Sequence, residues 1–356
     1  MHGRILSVIT LAPVSQPVRS TGLTARRPEV APERLVAELV PPPRFDAERF
    51  STYRPDPAQP SQAAAVGHLE GFAKAMDNGS AGSRWSLRRR STPTARGVYL
   101  DGGFGVGKTH LLAALWHATE GPKAFGTFVG FTNLVGALGF AQTVEAFQGH
   151  RLVCIDEFEL DDPGDTVLMS TLLTRLADAG VSLAATSNTL PGALGEGRFA
   201  ADDFLREIQA LSARFEVVTV DGEDYRHRGL APSPEPLPDD EVAARTRRPG
   251  GALDRFDDLL AHLATVHPSR YGALLDGVEA VGWQGVHPIS DQNVALRLVV
   301  LADRLYDRDV PVFASGTPLG DLFTPELMRG GYRKKYFRAV SRLTALARES
   351  VDEGRA

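Results

Sequence analysis

Five side chains in this 356-residue sequence carry chemistry at telling spacings: Lys108, Thr109, Asp156, Glu157 and Asn188. Lys108 and Thr109 close the run Gly102-Gly103-Phe104-Gly105-Val106-Gly107-Lys108-Thr109, which satisfies the G-x-x-x-x-G-K-[ST] phosphate-binding pattern at every fixed position. Its four glycines let the backbone wrap closely around phosphate oxygens and aim N–H groups inward. Lys108 then reaches the β- and γ-phosphates, and the Thr109 hydroxyl holds Mg²⁺. Nucleotide contacts are expected along the whole stretch to His110, with ATP and Mg²⁺ as cofactors. Asp156 and Glu157 end the apolar run Leu152-Val153-Cys154-Ile155. Asp156 acts on the Mg²⁺, directly or through water, and Glu157 accepts the proton of an attacking water. The amide of Asn188 can hydrogen-bond both the γ-phosphate and that water, which makes it the expected sensor residue, although asparagine often simply caps the next helix.

These groups need a scaffold that brings them to one place. Gly97-Val98-Tyr99-Leu100 reads as a buried strand before the glycine loop, and His110–Trp116 has helical apolar spacing after it. A helix that starts at the loop's end points its positive dipole end at the phosphates. The apolar run before Asp156 is the mark of a central parallel strand, whose carboxyl end is where ligands bind in an open α/β sheet. The spacing predicts a strand near Thr127–Phe131, a helix near Asn133–Phe147 and a helix over Thr166–Ala179 that ends at Gly180. Strands Val181–Thr186 and Phe215–Val220 complete the set, and the first of these runs into Asn188. The fold class expected is α/β: a three-layer P-loop core with a parallel sheet and a C-terminal α/β extension.

The apolar fraction of 43% supports a substantial core, and the formal net charge of −5 gives no global pull toward nucleic acid or acidic lipid. One cysteine, Cys154, excludes an intrachain disulfide and fits a reducing compartment. No run has the length of a transmembrane helix, and the stretch after Met1 lacks a small-residue cleavage site, so a cytoplasmic protein is expected. Residues 1–60 read as a partly disordered N-terminal extension, its proline-rich portion from Pro41 lying extended over a domain surface. Residues 61–230 are the P-loop core, opened by a helix from about Ser61 to Met76. Residues 231–250 form a linker with a small basic turn at Arg245–Arg248, and residues 251–356 form the extension. The extension reads as a helix at Leu253–Val266, a strand at Gly277–Trp283, a helix at Asp291–Tyr306, a strand at Val310–Phe313 and a helix at Lys334–Ser350. Arg338 and Arg342 leave one face of that last helix, either to grip nucleotide or to bridge to the body of the protein. Arg84–Arg90 is the densest basic stretch, fit to touch phosphates or simply to be solvated.

Several stretches resemble the ZapE family of AAA+-type P-loop ATPases: Leu152–Phe158, Thr186-Ser187-Asn188 with Pro191 and Leu194, and Val220–Arg228 with its D-Y-R-x-R element. Arg44-Phe45, Leu305-Tyr306-Asp307 and Arg338–Leu343 are similar to further family elements, so the resemblance covers most of the chain from about Pro41. It implies Mg²⁺-dependent ATP hydrolysis that drives work on a protein partner of the cell-division machinery. A homo-oligomer and peripheral membrane contact are compatible with it, and nucleic acid is not the expected partner. Two other readings stay open: a nucleic-acid-associated ATPase resembling helicase loaders, and a nucleotide-gated scaffold with little turnover. One departure stands out. The family arginine before the phenylalanine-leucine step falls on Ala201, leaving its role to Arg198, Arg206 or Arg214. Arg214 sits just before a strand, where related proteins place an arginine that acts on a neighbouring subunit.

Overall fold

The computed structural model describes residues 21–81, 97–103, 105–158, 163–189, 209, 212–222 and 233–353. The first body is built on strands β1 (Gly97–Asp101), β2 (Lys123–Thr127), β3 (Leu152–Asp156), β4 (Ser182–Ser187) and β5 (Glu216–Thr219). They form one sheet, all parallel, in the order β2-β3-β4-β1-β5. Every residue of β3 is buried. Its alternation assigns the two faces: Val153 and Ile155 pack with Phe131, Phe147 and Leu172, whereas Leu152 and Cys154 pack with Leu111, Leu115 and Leu69. The helices on the first face are α4 (Phe128–Leu138), α5 (Phe140–Phe147) and α6 (Pro163–Asp178). On the second face lie α2 (Pro60–Ala81) and α3 (Lys108–Ala118). The expected three-layer α/β core with a parallel sheet is present.

Strand β4 lies between β1 and β3, so the loop after β1, Asp156 at the end of β3 and Asn188 after β4 all emerge at one edge. The register makes this concrete: Asp101 is level with Ser187, and Thr127 with Asp156.

The C-terminal body is a smaller parallel sheet, β6 (Gly251–Arg255), β7 (Ala280–Val286) and β8 (Val312–Gly316), in the order β6-β7-β8. The helices Phe256–Thr265, Gln292–Asp307 and Arg333–Glu353 close its core around Trp283, Phe256, Tyr271 and Tyr336.

Several boundaries differ from the sequence expectation for identifiable reasons. The strand expected at Thr127–Phe131 lies at Lys123–Thr127, because the Thr127 hydroxyl accepts the Gly130 N–H at 3.0 Å and starts a helix at Phe128. The helix expected near Asn133–Phe147 is two helices, broken at Gly139 with its φ of 86°. The helix expected from Leu253 begins with a strand, β6, whose five residues are too short to announce themselves before Phe256. The strand expected at Gly277–Trp283 lies at Ala280–Val286, after a left-handed turn at Gly277. The strand expected at Val310–Phe313 starts later, at Val312, after Asp309 turns with a φ of 51°. Within the expected linker 231–250 a helix spans Asp239–Arg245, and the expected basic turn follows it, with Arg247 N–H donating to the Ala244 carbonyl at 3.2 Å.

The N-terminal stretch, expected as a loose lead-in, is docked from residue 21. Leu23 is fully buried in the C-terminal core, and Asp254 accepts the N–H groups of Leu23 and Thr24 at 2.8 and 3.1 Å. Helix α1 (Pro32–Ala37) follows, and Leu35 and Leu39 pack on the first body, where Phe125 N–H donates to the Leu39 carbonyl at 2.8 Å.

Candidate nucleotide-hydrolysing site

The glycine loop leads straight into α3, with Gly105 and Gly107 at φ of 79° and 87°. Gly107 has a second constraint: a Cβ there would lie 2.5 Å from Cε2 of Tyr53. Tyr53 donates its hydroxyl to the Val106 carbonyl at 2.7 Å, so the proline-rich segment braces the loop. His110 turns its ring onto that segment, with Nε2 3.0 Å from the Arg49 carbonyl and Nδ1 3.1 Å from a Glu48 carboxylate oxygen. Phe104, at the tip of the loop, lies outside the described residues.

Lys108 is buried and donates from Nζ to the Gly102 carbonyl at 2.8 Å, the Gly103 carbonyl at 2.5 Å and Asn188 Oδ1 at 2.8 Å. The loop after β1 and the tip of β4 are thus joined through the lysine. Asp156 is also buried, and the Thr109 hydroxyl stands 3.1 Å from its Oδ2. Burial pushes the Asp156 carboxyl above its usual range and the charge of Glu157 adds to this, while hydrogen bonds from Thr186 and Thr109 oppose it. A buried carboxylate beside a hydroxyl is a hard-oxygen donor set, and a cation would relieve its desolvation. Among the described residues no group of three or more His, Cys, Asp or Glu side chains gathers to hold a metal. The Thr109 hydroxyl and Asp156 carboxylate fit Mg²⁺, which takes one or two protein oxygens and completes its shell with phosphates and water.

Thr186, at the end of β4, donates to Asp156 Oδ1 at 2.5 Å and accepts the Glu157 N–H at 3.0 Å. One hydroxyl therefore orients both acids. The sequence reading passed over Thr186; its position beside Asn188 on the strand next to β3 was the available signal. Glu157 itself adopts a left-handed backbone with φ of 54°, a strained state for a side chain of this type. Its carboxylate is held from the C-terminal body: Oε2 lies 2.7 Å from Arg338 Nη1, and Oε1 lies 3.1 Å from Arg342 Nη2. The same two guanidinium groups bind Asp303, at 3.0 Å from Arg338 and 2.5 Å from Arg342. Burial alone would raise the Asp303 carboxyl, but the two arginines outweigh it and hold it below the usual range. Of the two roles open to Arg338 and Arg342, the structure displays bridging to the body.

Arg214 lies elsewhere. It precedes β5 at the amino edge of the sheet and pairs with Asp178 at 2.9 Å. The glycine loop is at the carboxyl edge, about 15 Å away along a five-residue strand, beyond the reach of an arginine in the same subunit. Arg198, Ala201, Arg206 and the D-Y-R-x-R element lie outside the described residues, as does Arg84–Arg90. Arg44 and Tyr306, noted above on separate resembling stretches, meet: the guanidinium sits 3.5 Å above the Tyr306 ring and donates to its carbonyl at 2.7 Å.

The Escherichia coli (strain K12) protein named "Cell division protein ZapE" is 32% identical over 162 residues, 42% of this chain and 43% of that protein. A Danio rerio protein named "Lactation elevated protein 1 homolog B" is 26% identical over 161 residues, 39% of this chain and 32% of that one. The chain thus matches less than half the length of these relatives. Among solved structures, the replication initiator DnaA bound to AMPPCP and single-stranded DNA is 13% identical with a TM-score of 0.38, covering 87% of this chain and 93% of that one. Similarity at that level carries no argument here. The profile of the AFG1-like ATPase family, by contrast, matches residues 29–240 and 230–353, across both bodies. With the loop, the acids and the asparagine gathered at one sheet edge, this chain belongs to the AFG1-like ATPase family.

Proposed function

We propose that the chain hydrolyses ATP in a Mg²⁺-dependent reaction at the carboxyl edge of the first sheet and couples turnover to remodelling of a protein partner. The observation that carries the reading is the convergence of Lys108, Thr109, Asp156, Glu157 and Asn188 on that edge from three separate strands. In the reaction, a water oxygen attacks the γ-phosphorus, the bond to the β,γ-bridging oxygen breaks, and ADP leaves with that electron pair. Lys108 exchanges its carbonyl partners for phosphate oxygens and neutralises charge there. Asn188, already 2.8 Å from the lysine, is placed to hold the γ-phosphate and the water. Thr109 and Asp156 would hold Mg²⁺, which supplies fixed positive charge to the phosphates. Glu157 accepts the water proton once its carboxylate is free of Arg338 and Arg342.

The protein partner is inferred from the cell-division name of the Escherichia coli relative. Assembly into a homo-oligomer would let Arg214, which is out of reach of its own subunit's site, act on a neighbour's. No helix among the described residues is long and apolar enough to cross a membrane. The test is ATP turnover with and without Mg²⁺ in the wild type, Lys108→Ala and Glu157→Gln, followed by partner capture with ATP-loaded Glu157→Gln. Lys108→Ala should abolish nucleotide binding. Glu157→Gln should keep ATP bound while turnover falls by roughly 10²-fold or more. Unchanged ATP affinity in Lys108→Ala overturns the assignment.

A further inference from the structure

Between the two bodies lies a cavity of about 450 Å³. Thr109 and Asp156 form part of its wall, so it adjoins the site at the residues that would hold Mg²⁺. The opposite wall brings Arg44, Arg304, Arg308 and Arg342 to the same space. Three of these have hydrogen-bonding capacity to spare. Arg304 makes no hydrogen bond or ion pair among the described residues, and its Nη2 stands 4.0 Å from where a Cβ on Gly130, another wall residue, would sit. Arg44 pairs with Asp309 and donates to the Tyr306 carbonyl through Nη2, but its Nε is buried without a partner. Arg308 has only a loose 3.7 Å contact with Asp276. Glu38, Asp156 and Asp307 also line the space, and guanidinium N–H groups with donors to spare there suit a planar or tetrahedral oxyanion that offsets them.

We infer that this cavity receives the phosphate ion cleaved from ATP, binding it through Arg304 with Arg44 and Arg308 around it before it escapes to solvent. The inference rests on the ATPase reading above. Phosphate set free between Mg²⁺ and the arginines has this cavity as its adjoining space, and moving into it separates the ion from ADP. Arg342 ties the cavity to the rest of the site, since it lines the wall while holding Glu157. Phosphate in the cavity competes with Glu157 for that guanidinium, so departure of the ion restores the resting contact.

The test uses the full chain saturated with MgADP and titrated with inorganic phosphate by calorimetry. One phosphate per chain is expected, with affinity at least tenfold weaker in Arg304→Ala and partly recovered in Arg304→Lys. Arg304 makes no side-chain hydrogen bond or ion pair among the described residues, and Asp307 keeps Arg342 as a neighbouring charge, so the variant should fold, and its melting temperature checks this. Arg308→Ala gives a second, smaller weakening by an independent change. In a single turnover of ATP, a phosphate-sensing probe should report faster release from Arg304→Ala than from the wild type, which ties the ion to the hydrolysed nucleotide. Equal phosphate affinity in Arg304→Ala and the wild type overturns the inference. So does phosphate binding that is lost in Lys108→Ala yet intact in Arg304→Ala, which would put the ion in the glycine loop. A chain that binds phosphate through Arg304 but never turns over ATP would refute the ATPase reading and leave an anion site standing.

Discussion

The contact between Glu157 and the C-terminal helix predicts that weakening it makes the enzyme faster. Arg338 is the better residue to change, because Arg342 also lines the cavity. Replacing it with glutamine, Arg338→Gln, removes the 2.7 Å contact to Glu157 and the 3.0 Å contact to Asp303 but leaves Arg342 joined to both acids. The side chains are only 18% and 22% exposed, so solvent screens the Arg338–Glu157 pair little. A charge-assisted hydrogen bond in such a setting contributes about 1.5–3 kcal/mol. If Glu157 must give up this bond to accept a proton, its removal lowers the barrier by a similar amount. About tenfold corresponds to the lower end of that range. Steady-state ATPase assays should therefore show kcat higher by about tenfold in Arg338→Gln, with KM for ATP within about twofold of wild type. The double variant with Glu157→Gln should be as slow as Glu157→Gln alone. Urea denaturation of the two single variants and the double should give a coupling energy of about 1.5–3 kcal/mol. A fall in kcat in Arg338→Gln would show that the arginine assists the chemistry, and the reasoning would be wrong.

Under the proposed role of Arg214 in a neighbour's site, specific activity should rise with protein concentration, and Arg214→Ala should remove the rise without weakening ATP binding. Mixing Arg214→Ala with Glu157→Gln should partly restore turnover; a flat concentration profile and no rescue would make the protein a working monomer. Asp307 gives a pH signature in stability. Burial pushes its carboxyl up to about 6 despite Arg342 and Arg304, with Asp303 and Glu157 adding to the rise. Between about pH 4 and pH 6 the folded state keeps this proton while the unfolded chain loses it. Stability therefore falls as pH rises through that window, by up to ~3 kcal/mol, and Asp307→Asn should flatten the profile in denaturation series. Gly107→Ala should cost ~1–2 kcal/mol for its left-handed backbone, and more for the clash with Tyr53, with ATP affinity falling alongside in binding assays.

The elements holding the phosphate loop and Asp156 were legible because their signals are local. A glycine pattern and an unbroken apolar run need only a few consecutive residues, and parallel strands buried on both faces have no other reading. Asn188 was legible for the same reason, as the end of a neighbouring strand. The partners of Glu157 were not. Arg338 and Arg342 stand far along the chain in a helix of another body, and helical spacing shows which residues share a face without saying what the face meets. The docking of residues 21–40 was hidden too, since Leu23 and Leu39 are isolated apolar residues among prolines and polar groups. Their burial depends on pockets built by residues far away in sequence, including the Asp254 that accepts the Leu23 N–H. Strand β6 was lost because Leu253 fits the apolar period of the helix that follows it.

That N-terminal docking has a mechanical consequence. The two bodies are joined twice: once by the covalent stretch from Arg26 to Ala31, which leaves the C-terminal core for the flank of β2, and once by the chain that runs on after Gly222. A body held by a single tether can tumble freely, whereas one held by two can mainly swing about the line joining its attachments. The release of Glu157 proposed above would then be mainly such a swing, with the N-terminal tether setting how far it can go. Cutting the chain between Arg26 and Pro32 would turn a hinge into a leash. Glu157 would be released more often, but the stroke of the C-terminal body would lose its direction.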